Sequence, residues 1–446
     1  MTNKIKKVKK NEQQGRREFL KKAAALSTVF AVPCIIPASA LGRNGAVVPS
    51  ERIVTGGIGI GGRGSSDLRV LTAEADVQFV AVCDIRKSRR DAVKKIVDGR
   101  YDNNDCATYI DIREFLAERT DIDAVLIATG DRWHAPATIM SMRAGKDVYC
   151  EKPSCFTIAQ GKKVVDAARQ YGRIYQTGTQ RLSEANHVFA IQMARSGALG
   201  KIHTAYADIR YRGGARRDWL PEQPLPPREE VDWDTWLGPC PWRPYNAGYV
   251  SHGWYDFYDF ATDVAMWGAH TIAQVVAGLD MSNASPIKFE FVEPNSSINV
   301  RLANGIKIVL VRTKESCWKP CEYWHGACGE RFDGSEGWAA AADGYSRPDV
   351  SSPAMLTEFK KVVREYTTST QRSMNHMRDF LNCVKSRRTT VANPEVMYNS
   401  MIINLAADIC EQLQRNLKFD LHKAQFIGDT DANRMCHRAS REPWQV

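Results

Sequence analysis

Four groups of residues in this 446-residue chain have types and spacings that can do chemistry. Gly59-Ile60-Gly61-Gly62-Arg63-Gly64 has the G-x-G-x-x-G spacing, and Asp84 follows by about 20 residues. Glu151-Lys152-Pro153 closes a short β-type run, and His270 lies in Trp267-Gly268-Ala269-His270 at the start of an apolar stretch. The glycines suit a dinucleotide. Gly59 permits a tight turn, Gly61 lets backbone approach a pyrophosphate, and Gly64 allows a helix to pack closely on a strand. The helix start then offers free N–H donors to phosphate. Asp84, ending the next strand, suits the hydroxyls of an adenine ribose and would repel a 2′-phosphate, which favours NAD over NADP; Arg86 close by would favour NADP. Lys152 can be a solvated loop charge or a proton donor fixed at the mouth of a site. A lone histidine such as His270 is commonly structural, so residue type leaves both roles open.

These residues need a frame. Segments 52–60, 77–83, 123–128, 147–150 and 173–176 read as strands, and 66–73, 88–98, 111–118, 136–144 and 158–170 as helices, with Pro136 suited to a first helical position. Strands alternating with helices predict an α/β fold whose N-terminal part, 50–178, is a Rossmann-type, doubly wound parallel sheet. The glycines then fall between a strand and a helix, where the dinucleotide pattern has meaning. From Lys201 the runs 202–211, 285–293, 298–303 and 306–313 follow one another with few helices. They predict a second domain, 179–446, of α+β type with a large, mainly antiparallel open sheet. Helices are expected at 373–386 and 394–415, and 220–248, rich in Pro, Trp and Gly, reads as a long ordered loop.

The net charge of +10 is uneven: residues 1–41 hold seven Lys and two Arg against two Glu, so +7 of it lies there and only +3 elsewhere. No nucleic-acid footprint is indicated. Residues 1–40 read as a signal peptide of twin-arginine type: Arg16-Arg17-Glu18-Phe19-Leu20-Lys21, then an apolar stretch, then small residues at Ala38 and Ala40. The expected location is periplasmic or otherwise exported, after folding with cofactor aboard. Beyond it no apolar run is long enough to span a membrane. Cleavage near Ala40 would leave 11 of the 12 cysteines, an odd and scattered set that does not read as a disulfide framework. Cys317, Cys321, His325 and Cys328 do not have the spacing of a zinc knuckle, and no metal is expected.

The stretches IGIGGRG (58–64), AVCDI (81–85), DAVLIATGDRWHAPA (123–137), AGKDVYCEKP (144–153), QTGTQR (176–181), VDWDTWLGPCPWRPYN (231–246) and WGAH (267–270) together resemble the Gfo/Idh/MocA family of sugar and polyol oxidoreductases. The resemblance runs from about residue 50 to the end. It implies a nicotinamide cofactor held by Gly59, Ile60, Gly61, Gly62, Arg63, Gly64, Asp84 and Arg86, with Thr129, Trp133, His134, Glu151 and Lys152 lining its reactive end. It implies that Lys152 meets the substrate hydroxyl that becomes a carbonyl, and that His270 is its acid–base partner. Four residues before this histidine the family places an aspartate; here it is Met266, so either Asp263 or Asp259 substitutes or the proton chemistry differs. Gln180, Arg181, Tyr211 and Arg212 are candidates for sugar hydroxyls or ordinary surface groups. Tyr211 and Arg212 would point to opposite faces of a strand, so one at most meets a ligand. The implied activity is NAD-dependent oxidation of a sugar, glycoside or polyol hydroxyl. The family also contains NAD-dependent α-N-acetylgalactosaminidases, which oxidise transiently, eliminate and regenerate the cofactor, and a non-catalytic sugar-binding protein is the third reading. An exported enzyme lacks free NAD, so a tightly bound cofactor is expected, in a homodimer or homotetramer.

Overall fold

The computed structural model describes residues 47–209, 216–294, 296–312 and 328–445. The signal-peptide segment, Tyr211, Arg212, Cys317, Cys321 and His325 lie outside the described residues.

The first sheet contains β1 (Ile53–Ile58), β2 (Val77–Cys83), β3 (Ala107–Tyr109), β4 (Ala124–Ile127), β5 (Asp147–Cys150) and β6 (Tyr175–Thr177) in the order β3-β2-β1-β4-β5-β6. Every pairing is parallel. All of β4 and β5 is buried, as expected of central strands covered on both faces. The strand order reverses between β1 and β4, and ligands bind at such a switch point, outside the carboxyl ends of the strands. β1 ends at the glycine loop, β2 at Asp84, β4 at Thr129 and β5 at Glu151-Lys152, so one edge collects all four.

The connecting helices start and stop where local chemistry dictates. Thr157 caps Ile158–Tyr171 by accepting from the Gln160 N–H, and Gly172 ends that helix in a left-handed conformation. Helix Pro394–Leu413 has Asn393 as its cap and Pro394 at its first position.

Among the described residues the second sheet has nine strands: β7 (Ile202–Asp208), β8 (Ile287–Glu290), β9 (Ile298–Arg301), β10 (Lys307–Val311), β11 (Glu330–Gly334), β12 (Gly337–Ala341), β13 (Asp349–Val350), β14 (Leu417–Asp420) and β15 (Gln425–Phe426). Their order is β13-β12-β11-β7-β10-β9-β8-β14-β15. The sheet is mainly antiparallel, with β7 and β10 paired in parallel. The helices Ala185–Arg195, Ala265–Gly278 and Pro394–Leu413 contribute to the large apolar core against this sheet.

One packing crosses the expected partition at residue 178. Helix His376–Ser386 buries Met377, Phe380, Leu381 and Val384 among Leu68, Phe79 and Tyr149 of the nucleotide-binding half. Arg378 and Lys385 on that helix pair with Asp76 there.

Candidate functional site

The glycine loop is shaped as its spacing requires. Gly59 has φ +68°, and a Cβ there would lie 2.3 Å from Cγ2 of Thr129. A Cβ on Gly64 would lie 2.7 Å from that of Ala128, so only glycine lets helix Gly62–Ala73 approach β4 this closely. Around Gly61 and Gly62 a Cβ would meet nothing within 4 Å. They face a cavity of about 410 Å³ that Arg63, Asp84, Arg86, Thr129 and Trp133 also line. Open backbone at the helix start, beside a carboxylate at the end of β2, fits a dinucleotide's phosphates and ribose.

Asp84 is buried; its Oδ1 accepts from the Arg86 N–H at 2.9 Å, and burial pushes its pKa up. The Arg86 guanidinium donates to the carbonyl of Val250 at 2.9 Å. That contact joins Arg86 to segment 249–256, which closes another wall of the cavity with Val250, Ser251, Trp254 and Tyr255. Arg132 lies 3.7 Å over the ring of Trp236 and donates to its carbonyl. Trp133 donates its indole N–H to Thr235 and packs edge-on against Trp444, which fixes the ring in the wall. His134 is buried with Nδ1 2.6 Å from the carbonyl of Pro153, and burial lowers its pKa.

Glu151 and Lys152 lie beyond the glycine-loop end of this cavity. Arg63 reaches from the loop to Glu151 at 3.5 Å and to Asp67 at 2.9 Å. Glu151 also accepts from Gln180 at 2.6 Å, and Gln180 bonds the Tyr149 hydroxyl. A Cβ on Gly178 would stand 2.3 Å from Glu151 Oε1, so the glycine of QTGTQR makes room for this carboxylate. Asp67 is pushed up to about 7, first by burial and then by the charge of Glu151. Sequence reasoning missed Asp67 because, one helical turn past the loop, it reads as an outward-facing polar residue.

Lys152 Nζ donates to the carbonyl of Met266 at 2.9 Å and lies 5.6 Å from the ring centroid of Trp267. Burial lowers its pKa, against the charges of Glu151 and Asp131. His270, four residues after Met266, places Nε2 3.2 Å from Nη1 of Arg181. Lys152, His270, Gln180 and Arg181 are thus brought together, and Ile60 is buried beneath the glycine loop.

The two carboxylates expected to replace the missing aspartate are used elsewhere. The apolar helix begins at Ala265, so Asp263 does not share a helical face with His270; its Oδ2 pairs with Arg312 at 2.9 Å. Asp259 pairs with Arg243. Asp263 could have shared a face with His270 only if the helix extended back to it, and the helix starts two residues later.

Among the described residues, Glu184, His187 and Asp343 place ligand-type atoms within 4.8 Å of one another. Both Asp343 oxygens lie in the fork of the Arg181 guanidinium, which makes the group an ion-pair chain.

A 3-2-1-4-5-6 parallel sheet, a glycine turn opening onto a cavity, and a ribose-suited acid define a dinucleotide-binding Rossmann protein with a second α/β part. The description "Oxidoreductase family, NAD-binding Rossmann fold" matches residues 53–179, and "Oxidoreductase family, C-terminal alpha/beta domain" matches 203–446. The chain belongs to the Gfo/Idh/MocA oxidoreductase family. It is 29% identical over 210 residues to an alpha-N-acetylgalactosaminidase of Shewanella oneidensis, covering 42% of this chain and 44% of that protein. A glycosyl hydrolase family 109 protein of Shewanella baltica is 30% identical over 211 residues, with the same coverage. The match thus spans less than half the length of these relatives. In fold the chain is similar to the WlbA dehydrogenase of Bordetella pertussis in complex with NADH and UDP-GlcNAcA: TM-score 0.59, 13% identity, 83% of this chain and 99% of that one. A putative myo-inositol dehydrogenase of Sinorhizobium meliloti gives a TM-score of 0.54 at 16% identity, covering 82% and 98%.

Proposed function

We propose that the protein is an exported, NAD-dependent enzyme that acts on a hydroxyl-bearing carbon of a sugar, glycoside or polyol. The observation that carries this reading is the convergence of Lys152, His270 and Arg181 beside the glycine-loop end of the cavity. Bound NAD would supply a hydride acceptor at that end. The chain's own part is to hold and move the hydroxyl proton. Lys152 is mounted for this: its Nζ is fixed on the Met266 carbonyl, and its burial lowers the pKa, which favours the neutral amine relative to a free lysine. Gly61 and Gly62 would admit the phosphates and Asp84 the adenine ribose, and Arg86, tied to Val250, is turned to the cavity wall.

A second reading is favoured by two observations. The relatives found include a protein named alpha-N-acetylgalactosaminidase. Segment 249–256 also walls the nucleotide cavity, which supports a retained and internally recycled cofactor. On this reading oxidation is transient and the net reaction is glycoside cleavage.

Export rests on Arg16-Arg17 and the apolar stretch after them. A homodimer or homotetramer would pair through the open face of the second sheet, where Lys288 and Arg301 alternate with buried neighbours.

Incubation of the purified protein with a panel of glycosides tests the reading. A keto-sugar supports net oxidation, and a released aglycone without net change at the NADH absorbance band supports the glycosidase form. NAD bound with neither product from any member of the panel overturns both and leaves a sugar-binding protein.

A further inference from the structure

His270 is almost fully buried, and one helical turn before it stands Met266, which carries no charge. Its Nε2 faces Nη1 of Arg181 at 3.2 Å. A guanidinium offers only donors and stays protonated at any pH the protein meets. Nε2 must therefore accept, and the single proton of a neutral imidazole sits on Nδ1. Nδ1 is buried and has no hydrogen-bond partner among the described residues, so its N–H is unsatisfied in the protein alone.

Arg181 is itself held in place. Its Nε and Nη2 donate to the two oxygens of Asp343 at 2.9 and 2.5 Å, a fork that fixes the plane of the guanidinium and leaves Nη1 for His270 and, at 3.4 Å, Gln180. Asp343 lies 3.8 Å from Nε2 of His187, whose Nδ1 meets the buried Glu330 at 2.9 Å. The chain from Glu330 to His270 braces one imidazole with a fixed cation.

Resting on the reading that Lys152 and His270 flank the reacting hydroxyl, we propose that Arg181 is a positioning residue: it confines His270 to the neutral Nδ1–H tautomer, a hydrogen-bond donor, and leaves the hydroxyl proton to Lys152. The hydroxyl O–H bond breaks, an N–H bond forms on the unprotonated amine of Lys152, and the electron pair stays on oxygen. Nδ1–H of His270 donates to that oxygen without giving up its proton.

The charges around the ring agree with this assignment. After burial itself, Lys152 from the loop following β5, Arg181 from the turn Gln180–Ser183, Arg63 from the glycine-loop helix and His376 from the helix His376–Ser386 all disfavour an imidazolium. On other elements packed against this helix, His187 and Glu330 pair with each other and Asp408 faces Asp263.

The test is nitrogen-15 NMR of histidine-labelled, NAD-bound protein across the pH range in which it stays folded. His270 is expected to remain neutral with its proton on Nδ1. Arg181→Gln should raise its titration midpoint by at least about one pH unit, the scale on which a neighbouring charge acts, and should mix the tautomers. Arg181→Lys should keep the ring neutral and retain more turnover than Arg181→Gln. Asp343→Asn, which keeps the cation but loosens the fork, should mix the tautomers without protonating the ring, and this variant decides the matter if Arg181→Gln does not fold. An imidazolium near neutral pH, a proton on Nε2 in the wild type, or ring signals unchanged in both variants would overturn the proposal. The NMR readouts, on which the proposal stands or falls, need no substrate, so a failure of the carbohydrate reading would be seen separately as inactivity on every sugar tried.

Discussion

Lys152→Met replaces an ammonium-bearing chain with an apolar one of similar length, and its consequences fall in different measurements. Among the described residues Nζ makes one hydrogen bond, to the Met266 carbonyl at 2.9 Å. Losing this charge-assisted hydrogen bond, to a carbonyl that keeps its place in the helix Ala265–Gly278, costs about 1–3 kcal/mol of stability. Losing a positioned proton-transfer group lowers turnover by a factor of about 100 or more, equivalent to about 2.7 kcal/mol in the barrier. The phosphates and adenine ribose are expected on the glycine loop and Asp84, so NAD affinity should stay within about twofold of wild type. The assay pairs thermal melting and NAD calorimetry with kcat on the active glycoside. Because burial lowers the lysine's pKa, wild-type oxidation should rise with pH and level off below the ordinary lysine value of about 10.4. The variant should lack that rise. Unchanged turnover in a folded, NAD-binding Lys152→Met protein would refute the reasoning and return Lys152 to a loop charge.

Asp84→Ser should weaken NAD binding and narrow the gap to NADP, measured by calorimetry; tighter binding of NADP by the wild type would mean that Arg86 governs the site. His187 beside Glu330 is raised to about 9, against about 6.5 unfolded. A raised folded value contributes stability that is complete below about pH 6.5 and is lost as pH rises through about 9, with a ceiling of about 3 kcal/mol. Urea midpoints should therefore fall across that window and flatten in His187→Gln, and an identical pH slope in that variant would contradict the assignment. Changing Arg16 and Arg17 to Lys should leave precursor in the cytoplasm, and normal export on fractionation would point to a general secretory signal.

The nucleotide half was legible because its signals are local. An apolar run, a glycine spacing and an acid at the end of the next strand sit within about 35 residues, and parallel strands buried on both faces announce themselves as continuous apolar runs. β3, three residues long, had too little pattern to be read. The glycines of the loop were readable as a turn, whereas Gly178 was not, because its reason is the Glu151 carboxylate packed against it. In the second half β7 to β10 were visible as runs, but β11 (ERFDG) and β12 (GWAAA) do not alternate large apolar with polar residues, and β13 and β15 are two residues long, so their periodicity is weak. The partner of His270 was sought four residues away on its own helix. It came instead from Arg181, braced by Asp343 across the sequence, and no spacing rule links residues on three separate elements. Helix His376–Ser386 was expected as a helix, but its return to the first sheet depends on tertiary packing alone.

The central claim is that a carbohydrate C–H bond delivers its hydride to a cofactor held by this chain. The direct measurement is a rapid-mixing absorbance trace at the NADH band, using protein with bound NAD and the active glycoside carrying either hydrogen or deuterium at the reacting carbon. The account predicts that reduced nicotinamide appears within the first turnover, more slowly with deuterium, and then either persists beside a keto-sugar or decays as aglycone is released. Product formation with no reduced nicotinamide and no difference between the two isotopes would contradict it.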